Sequence, residues 1–148
     1  MPVTVSETNL KKLLQNINQY SPHPSKVQIV AVTKGFSYHA ILSAIQNKIQ
    51  CIGENRVQEF LNKKKDLPKQ TFESHLIGHL QSNKIKKAAK NFDIIQTIDS
   101  IELAHKLNKE MACLGHKKNI YIQINIGNDP KKFGLPPKEA LRAAANIQ

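Results

Sequence analysis

Segments of strand character and segments of helical periodicity alternate along the whole chain, and no other feature limits the fold as tightly. A helix comes first: Leu10, Leu13, Leu14 and Ile17 recur at i, i+3, i+4 and i+7. "TVSE" ahead of them reads as a capping box, with Thr4 as N-cap and Glu7 reaching back. "YSPHPS" (20–25) ends this helix with two prolines. Strand-like runs then fall at 27–33, 50–53, 75–78, 93–97 and 119–126. Between them lie helical stretches carrying Ile41, Leu42 and Ile45, then Val57, Phe60 and Leu61, then residues 82–91. An Asp99/Glu102 box precedes the helix of Leu103, Ala104, Leu107 and Met111, and Pro136 and Pro137 open the last one. Five strand–helix units behind a leading helix call for a parallel sheet covered by helices, either doubly wound or closed as a barrel. Periodicity does not choose between the two.

In both architectures function gathers where strands end and helices begin. That rule puts Lys34, Gly53, Glu54, Asn55, Gly78, His79, Thr97 and Asn125 on one rim. Lys34 sets the question, because "VQIVAVTKGFS" (27–37) runs an apolar strand straight into a lysine and a glycine. A lysine in such a place more often extends its ammonium to water than does chemistry. Lysine is also the residue that forms imines with carbonyl compounds, and Gly35 would let the backbone pass close to a ligand. Asn55 and Asn125 can each donate and accept toward a polar ring, although asparagine in a turn is the commoner explanation for either. His75 and His79 are separated by a strand end and a glycine, share no helix face, and are not expected to hold a metal. "GENRVQE" (53–59) has neither of the glycine spacings that cradle phosphates.

Composition bounds the rest. The 148 residues suffice for one domain, 1–148, with a core of its own. The longest apolar run noted, Ile29–Val32, is far too short to span a membrane, and the first ten residues lack the pattern of a secretory signal. Cys51 and Cys113 form no C-x-x-C pair and sit inside periodic segments, so they read as reduced, buried small hydrophobes of a cytoplasmic protein. The net charge of +11 favours phosphate-bearing partners. The lysines concentrate at 62–66 and 82–91, where Ile85, Ala88, Ala89 and Phe92 put most of the second group on a solvated helix face. No aromatic residues interleave with them as base-stacking platforms do, so nucleic acid is not an expected partner and rests on charge alone.

Five short motifs, in order, add a resemblance. "AVTKGF" (31–36), "GENRVQE" (53–59), "HLIGHLQSNK" (75–84), "IQTIDS" (95–100) and "IQINIG" (122–127) together resemble the pyridoxal phosphate homeostasis proteins, small relatives of the alanine racemase barrel. The resemblance covers nearly the whole chain and implies a (β/α)8 TIM-type barrel, of which about five units are present here behind the N-terminal helix. It implies that Lys34 holds pyridoxal 5′-phosphate as an internal aldimine, and the rim position adds Asn55, His79 and Asn125 as cofactor-binding residues. It implies a role in the homeostasis of the cofactor without catalytic turnover, and hence no catalytic residue. A racemase-like enzyme using the same lysine is the alternative, and a basic nucleic-acid-binding domain a third. The family's phosphate-holding segments, a serine- and glycine-rich turn and an arginine–glycine–threonine strand end, have no counterpart in this chain, and "DPKKFG" puts Phe133 where a serine is usual. The barrel domain is therefore expected to be C-terminally incomplete, a truncated or split product or a piece completed by a second chain.

Overall fold

The computed structural model describes residues 4–68 and 72–147. Helix α1 (Glu7–Tyr20) starts with Ser6 as its N-cap, not Thr4; the Ser6 hydroxyl accepts from the Asn9 N–H. The chain just ahead is tied elsewhere, since Val5 N–H donates to Ser43 Oγ at 2.9 Å, and the helix begins only past that anchor. Five strands follow: β1 (Val30–Val32), β2 (Cys51–Glu54), β3 (Glu73–Leu76), β4 (Ile94–Ile98) and β5 (Asn119–Ile122). Helices α2 (Tyr38–Gln46), α3 (Val57–Lys64), α4 (Ile85–Asn91) and α5 (Ile101–Leu114) connect them, and α6 (Pro137–Asn146) follows β5.

All four pairings are parallel, and the sheet order is β1-β2-β3-β4-β5. A doubly wound sheet reverses its order at a switch point and places helices on both faces. Here no reversal occurs, and the barrel arrangement is the one the strands follow. Ile52, Leu76 and Ile95 point to one face, where they join Ile41, Ala44, Phe60, Ala88, Leu103 and Leu107 of the helices in a single core. Phe60 lies at its centre, with Phe92 4.6 Å and Phe72 6.4 Å away between ring centroids. Alternation sends Val30, Gly53, His75 and Gln96 to the opposite, barrel-interior face.

The edge strands are shorter than their sequences suggest. β1 has β2 as its ladder partner only from Val30↔Cys51 to Val32↔Gly53, so residues 27–29 lie outside it. β5 gives way at Gln123 to a loop that closes on residues just past the strand: Asn125 N–H donates to Leu135 O, and Leu135 N–H to Gln123 O. Ser100, not Asp99, caps α5 by accepting from the Leu103 N–H at 3.2 Å, which leaves the Asp99 carboxylate for other work. Cys51 is buried as expected, but Cys113 is exposed. The buried stripe of α5 is Leu103, Ala104, Leu107 and Met111, and position 113 falls off it. No helix among the described residues is long and apolar enough to cross a membrane.

Candidate functional site

Lys34 stands in the turn that leaves β1, two residues beyond Val32 of the barrel-interior face. Gly35 adopts a left-handed φ of 76°, which suits glycine and turns the chain toward α2. The Lys34 side chain is exposed and has neither ion pair nor hydrogen bond among the described residues. Its neighbours are fixed. Thr33 N–H donates to Gly53 O, Thr33 Oγ1 donates to Glu54 Oε1 at 2.6 Å, and Gly35 N–H donates to Glu59 Oε1 at 2.6 Å. Lys63 joins these groups from below, donating to Glu54 Oε1 and Glu59 Oε1 at 2.7 Å each and to Thr33 O at 2.8 Å. Burial pushes the Glu59 carboxyl up, but the bonds from Lys63 and from the Gly35 N–H outweigh it and hold the group below its ordinary value.

Asn55 and His79 come next along the rim, after β2 and β3. They line one cleft of about 380 Å³ together with Arg56, Gln81 and Lys84. Gly78 allows the two loops to close: a Cβ there would lie 2.1 Å from Asn55 O and 2.6 Å from Asn55 Oδ1. Thr97 is buried and donates its hydroxyl to Gly78 O at 2.7 Å, so β4 braces the same turn. His79 Nδ1 lies 2.9 Å from Asp99 Oδ2, and its ring stacks on Phe133 with centroids 3.6 Å apart and planes 10° from parallel.

Asn125 takes the turn role. Its Nδ2 donates to Asp129 O and Lys132 O, and its Oδ1 accepts from the Asp129 N–H, so its polar atoms shape the loop that carries Phe133. Along the rim the structure therefore gathers Asn55 and His79 in one cleft, places Lys34 one strand away, and commits Asn125 to the β5–α6 loop. Glu54, included in the rim by position, faces the helices and is buried.

Further down the interior face, at the starts of β2 and β3, Cys51, Glu73 and His75 bring one potential ligand atom each within 4.8 Å of one another. Their polar atoms already serve one another. His75 Nε2 lies 2.8 Å from Glu73 Oε1, while Gln96 Nε2 lies 2.8 Å from His75 Nδ1. Burial and then Glu73 push the Cys51 thiol above its usual value.

The residues that hold the Lys34 turn did not stand out in the sequence. Two signals were nonetheless present: Glu59 and Lys63 have the i, i+4 spacing of a helical ion pair, and Glu54 shares its strand parity with the core residue Ile52. A carboxylate on a core-facing strand position requires a cation nearby.

The sequence model described as the N-terminal domain of alanine racemase matches residues 8–148. A pyridoxal phosphate homeostasis protein from Pasteurella multocida is 38% identical, over 96% of this chain and 64% of the relative. This chain thus spans less than two thirds of that relative's length. Among solved structures, a protein of unknown function from Bifidobacterium adolescentis has a TM-score of 0.85 at 27% identity, covering 99% of this chain and 68% of the other. PipY of Synechococcus elongatus, solved with PLP bound, has a TM-score of 0.75 at 33% identity, covering 93% of this chain and 64% of PipY.

Proposed function

This chain belongs to the family of the alanine racemase N-terminal domain, and we propose that it binds pyridoxal 5′-phosphate through Lys34 and serves in the homeostasis of that cofactor rather than in catalysis. The observation that carries this reading is the state of Lys34: an exposed primary amine without a partner among the described residues, on a turn whose flanking residues are both held. The names of the relatives and the cofactor bound to PipY support it. When bound, the cofactor supplies an aldehyde that condenses with a primary amine to a C=N bond and releases water.

The residues present fit the aldehyde and ring end of such a group. Lys34 offers the amine, and the cleft one strand along the rim offers Asn55 and His79 as polar contacts for a ring. Asn125 acts at one remove, by shaping the loop that sets Phe133 against His79. Hold on the phosphate is assigned to the part of the barrel that the relatives have in excess of this chain, whether in the same polypeptide or a second one. His79 is the imidazole nearest to an acid–base role on this rim. Its Nδ1 is engaged by Asp99 and one ring face is covered by Phe133. The same pair carries the second reading, a racemase-like enzyme, since a histidine oriented by a carboxylate is how an acid–base group is set. The proposed compartment is the cytoplasm.

Borohydride reduction in the presence of pyridoxal 5′-phosphate tests the assignment. The cofactor should become fixed on the peptide containing Lys34, and Lys34→Ala should remove that label while leaving far-UV circular dichroism and melting nearly unchanged. Labelling that ignores Lys34 in the unsubstituted chain sinks the reading. Interconversion of alanine enantiomers that depends on both Lys34 and His79 would establish the enzyme instead.

A further inference from the structure

Taking a lysine out of water costs several kcal/mol, and a well-packed apolar residue often serves a fold as well or better. Lys63 is nonetheless only 7% exposed. Its ion-pair partner Glu54 is buried as well, and Glu54 Oε2 is the buried side-chain polar atom left without a hydrogen bond among the described residues. So expensive an arrangement is explained by where its bonds go. Thr33 is held twice, at its carbonyl by Lys63 and at its hydroxyl by Glu54. Gly35 is held once, at its N–H by Glu59. Lys63 ties the two carboxylates to each other. Three of these bonds land on Thr33 and Gly35, the residues that flank Lys34, and none lands on Lys34 itself.

The geometry points to Lys63, Glu54 and Glu59 as positioning residues that clamp the backbone on both sides of Lys34 and so direct an aldehyde to that amine in preference to the other lysines of the chain. This rests on Lys34 being the amine that takes the cofactor. Selectivity is the problem such a clamp solves in a chain with 20 lysines, most of the described ones exposed as Lys34 is. An exposed lysine on a free turn samples many orientations, and a fixed backbone removes the part of that freedom that comes from the turn before the aldehyde arrives. The clamp also keeps the two neighbouring lysines apart in chemistry. The Lys63 nitrogen donates to three oxygens, whereas the exposed Lys34 has no hydrogen bond or ion pair among the described residues.

The test uses the full chain with pyridoxal 5′-phosphate as the probe, quenched with borohydride at successive times and mapped by peptide mass. The readout is the ratio of label on Lys34 to label on the exposed lysines of α4, Lys86, Lys87 and Lys90, which report the probe's unguided reactivity in the same molecule. Circular dichroism in the absorption band of the bound group is the second readout, because it requires a fixed orientation. Glu59→Gln and the charge-neutral double variant Glu54→Gln/Lys63→Met should each lower the ratio about tenfold, less than the hundredfold that a 1 Å misplacement can cost. The induced dichroism should fade in both, with far-UV dichroism unchanged. An unsubstituted chain with no preference for Lys34 defeats the functional reading beneath the proposal. An unsubstituted chain that favours Lys34, alongside folded variants that favour it equally and keep the induced dichroism, overturns the clamp alone. If the double variant does not fold, Glu59→Gln decides, since its carboxylate is 28% exposed and its loss leaves Lys63 paired with Glu54.

Discussion

At Glu59, burial and hydrogen bonding pull the carboxyl in opposite directions, and the hydrogen bonds prevail. A carboxyl held lower in the folded than in the unfolded chain stabilises the fold at pH above its unfolded value, and loses that contribution as pH falls through its folded one. The stability difference between the unsubstituted chain and Glu59→Gln should therefore be level above about pH 5.5 and shrink as pH drops below about 4, given an unfolded glutamate near 4.3. Urea melts across that range measure it, and a difference that grows on acidification would contradict the assignment. The cysteines offer a second residue-scale test. Cys113 is exposed, whereas Cys51 is buried and its thiol is pushed up, so a thiol reagent at neutral pH should modify Cys113 quickly and Cys51 only on unfolding. Single residues were the least legible part of the sequence. Lys34 could be singled out as a candidate because a motif surrounds it. Asn125 could not be separated from a turn asparagine, since both uses need the same amide. Lys63 looked like any lysine in a basic run, because burial depends on which helix face meets the sheet.

Elements were far more legible, and the reason is physical: the core needs an apolar stripe on each helix, and that stripe is written at 3.6-residue spacing. Ile85, Ala88, Ala89 and Phe92 are buried as their spacing requires, and the lysines between them are exposed. Caps were less so. Several polar residues stand ahead of each helix, and only the backbone decides which one takes the cap. At α5 that choice has a consequence. Ser100→Ala should destabilise the chain by about 1 kcal/mol through loss of the bond to Leu103 N–H. Asp99→Asn should leave the cap and most of the stability intact while changing the hydrogen bond at His79 Nδ1, which the chemical shifts of its ring nuclei would follow. If the two substitutions cost the same stability, Asp99 shares the capping role. Strand ends were misjudged for a different reason. A β-prone run such as 119–126 becomes ladder only as far as a partner strand continues beside it, and partners are not written locally.

At the scale of the whole molecule, alternation gave a parallel sheet, but only the strand order separates a barrel from a doubly wound fold. That order is a property of how units dock, not of any one of them. β1 and β5 are the outer strands of the sheet, and Val32 and Tyr121 on its interior face are half exposed, with Ile126 beyond them 81% exposed. Open strand edges beside apolar side chains promote pairing between chains. Sedimentation of the 148-residue chain should show association that grows with concentration, and Val32→Lys with Ile126→Lys should reduce it. A chain that stays monomeric at high concentration would mean that the edges of β1 and β5 are both protected. The strand order also bears on the route by which the chain reaches its fold. Each strand after β1 pairs with the one before it across a single helix, so no pairing in this sheet joins strands that are distant in sequence. As the chain leaves the ribosome, β2 has its partner ready when it emerges, β3 has β2, and the sheet can grow in the order of synthesis, one docking at a time.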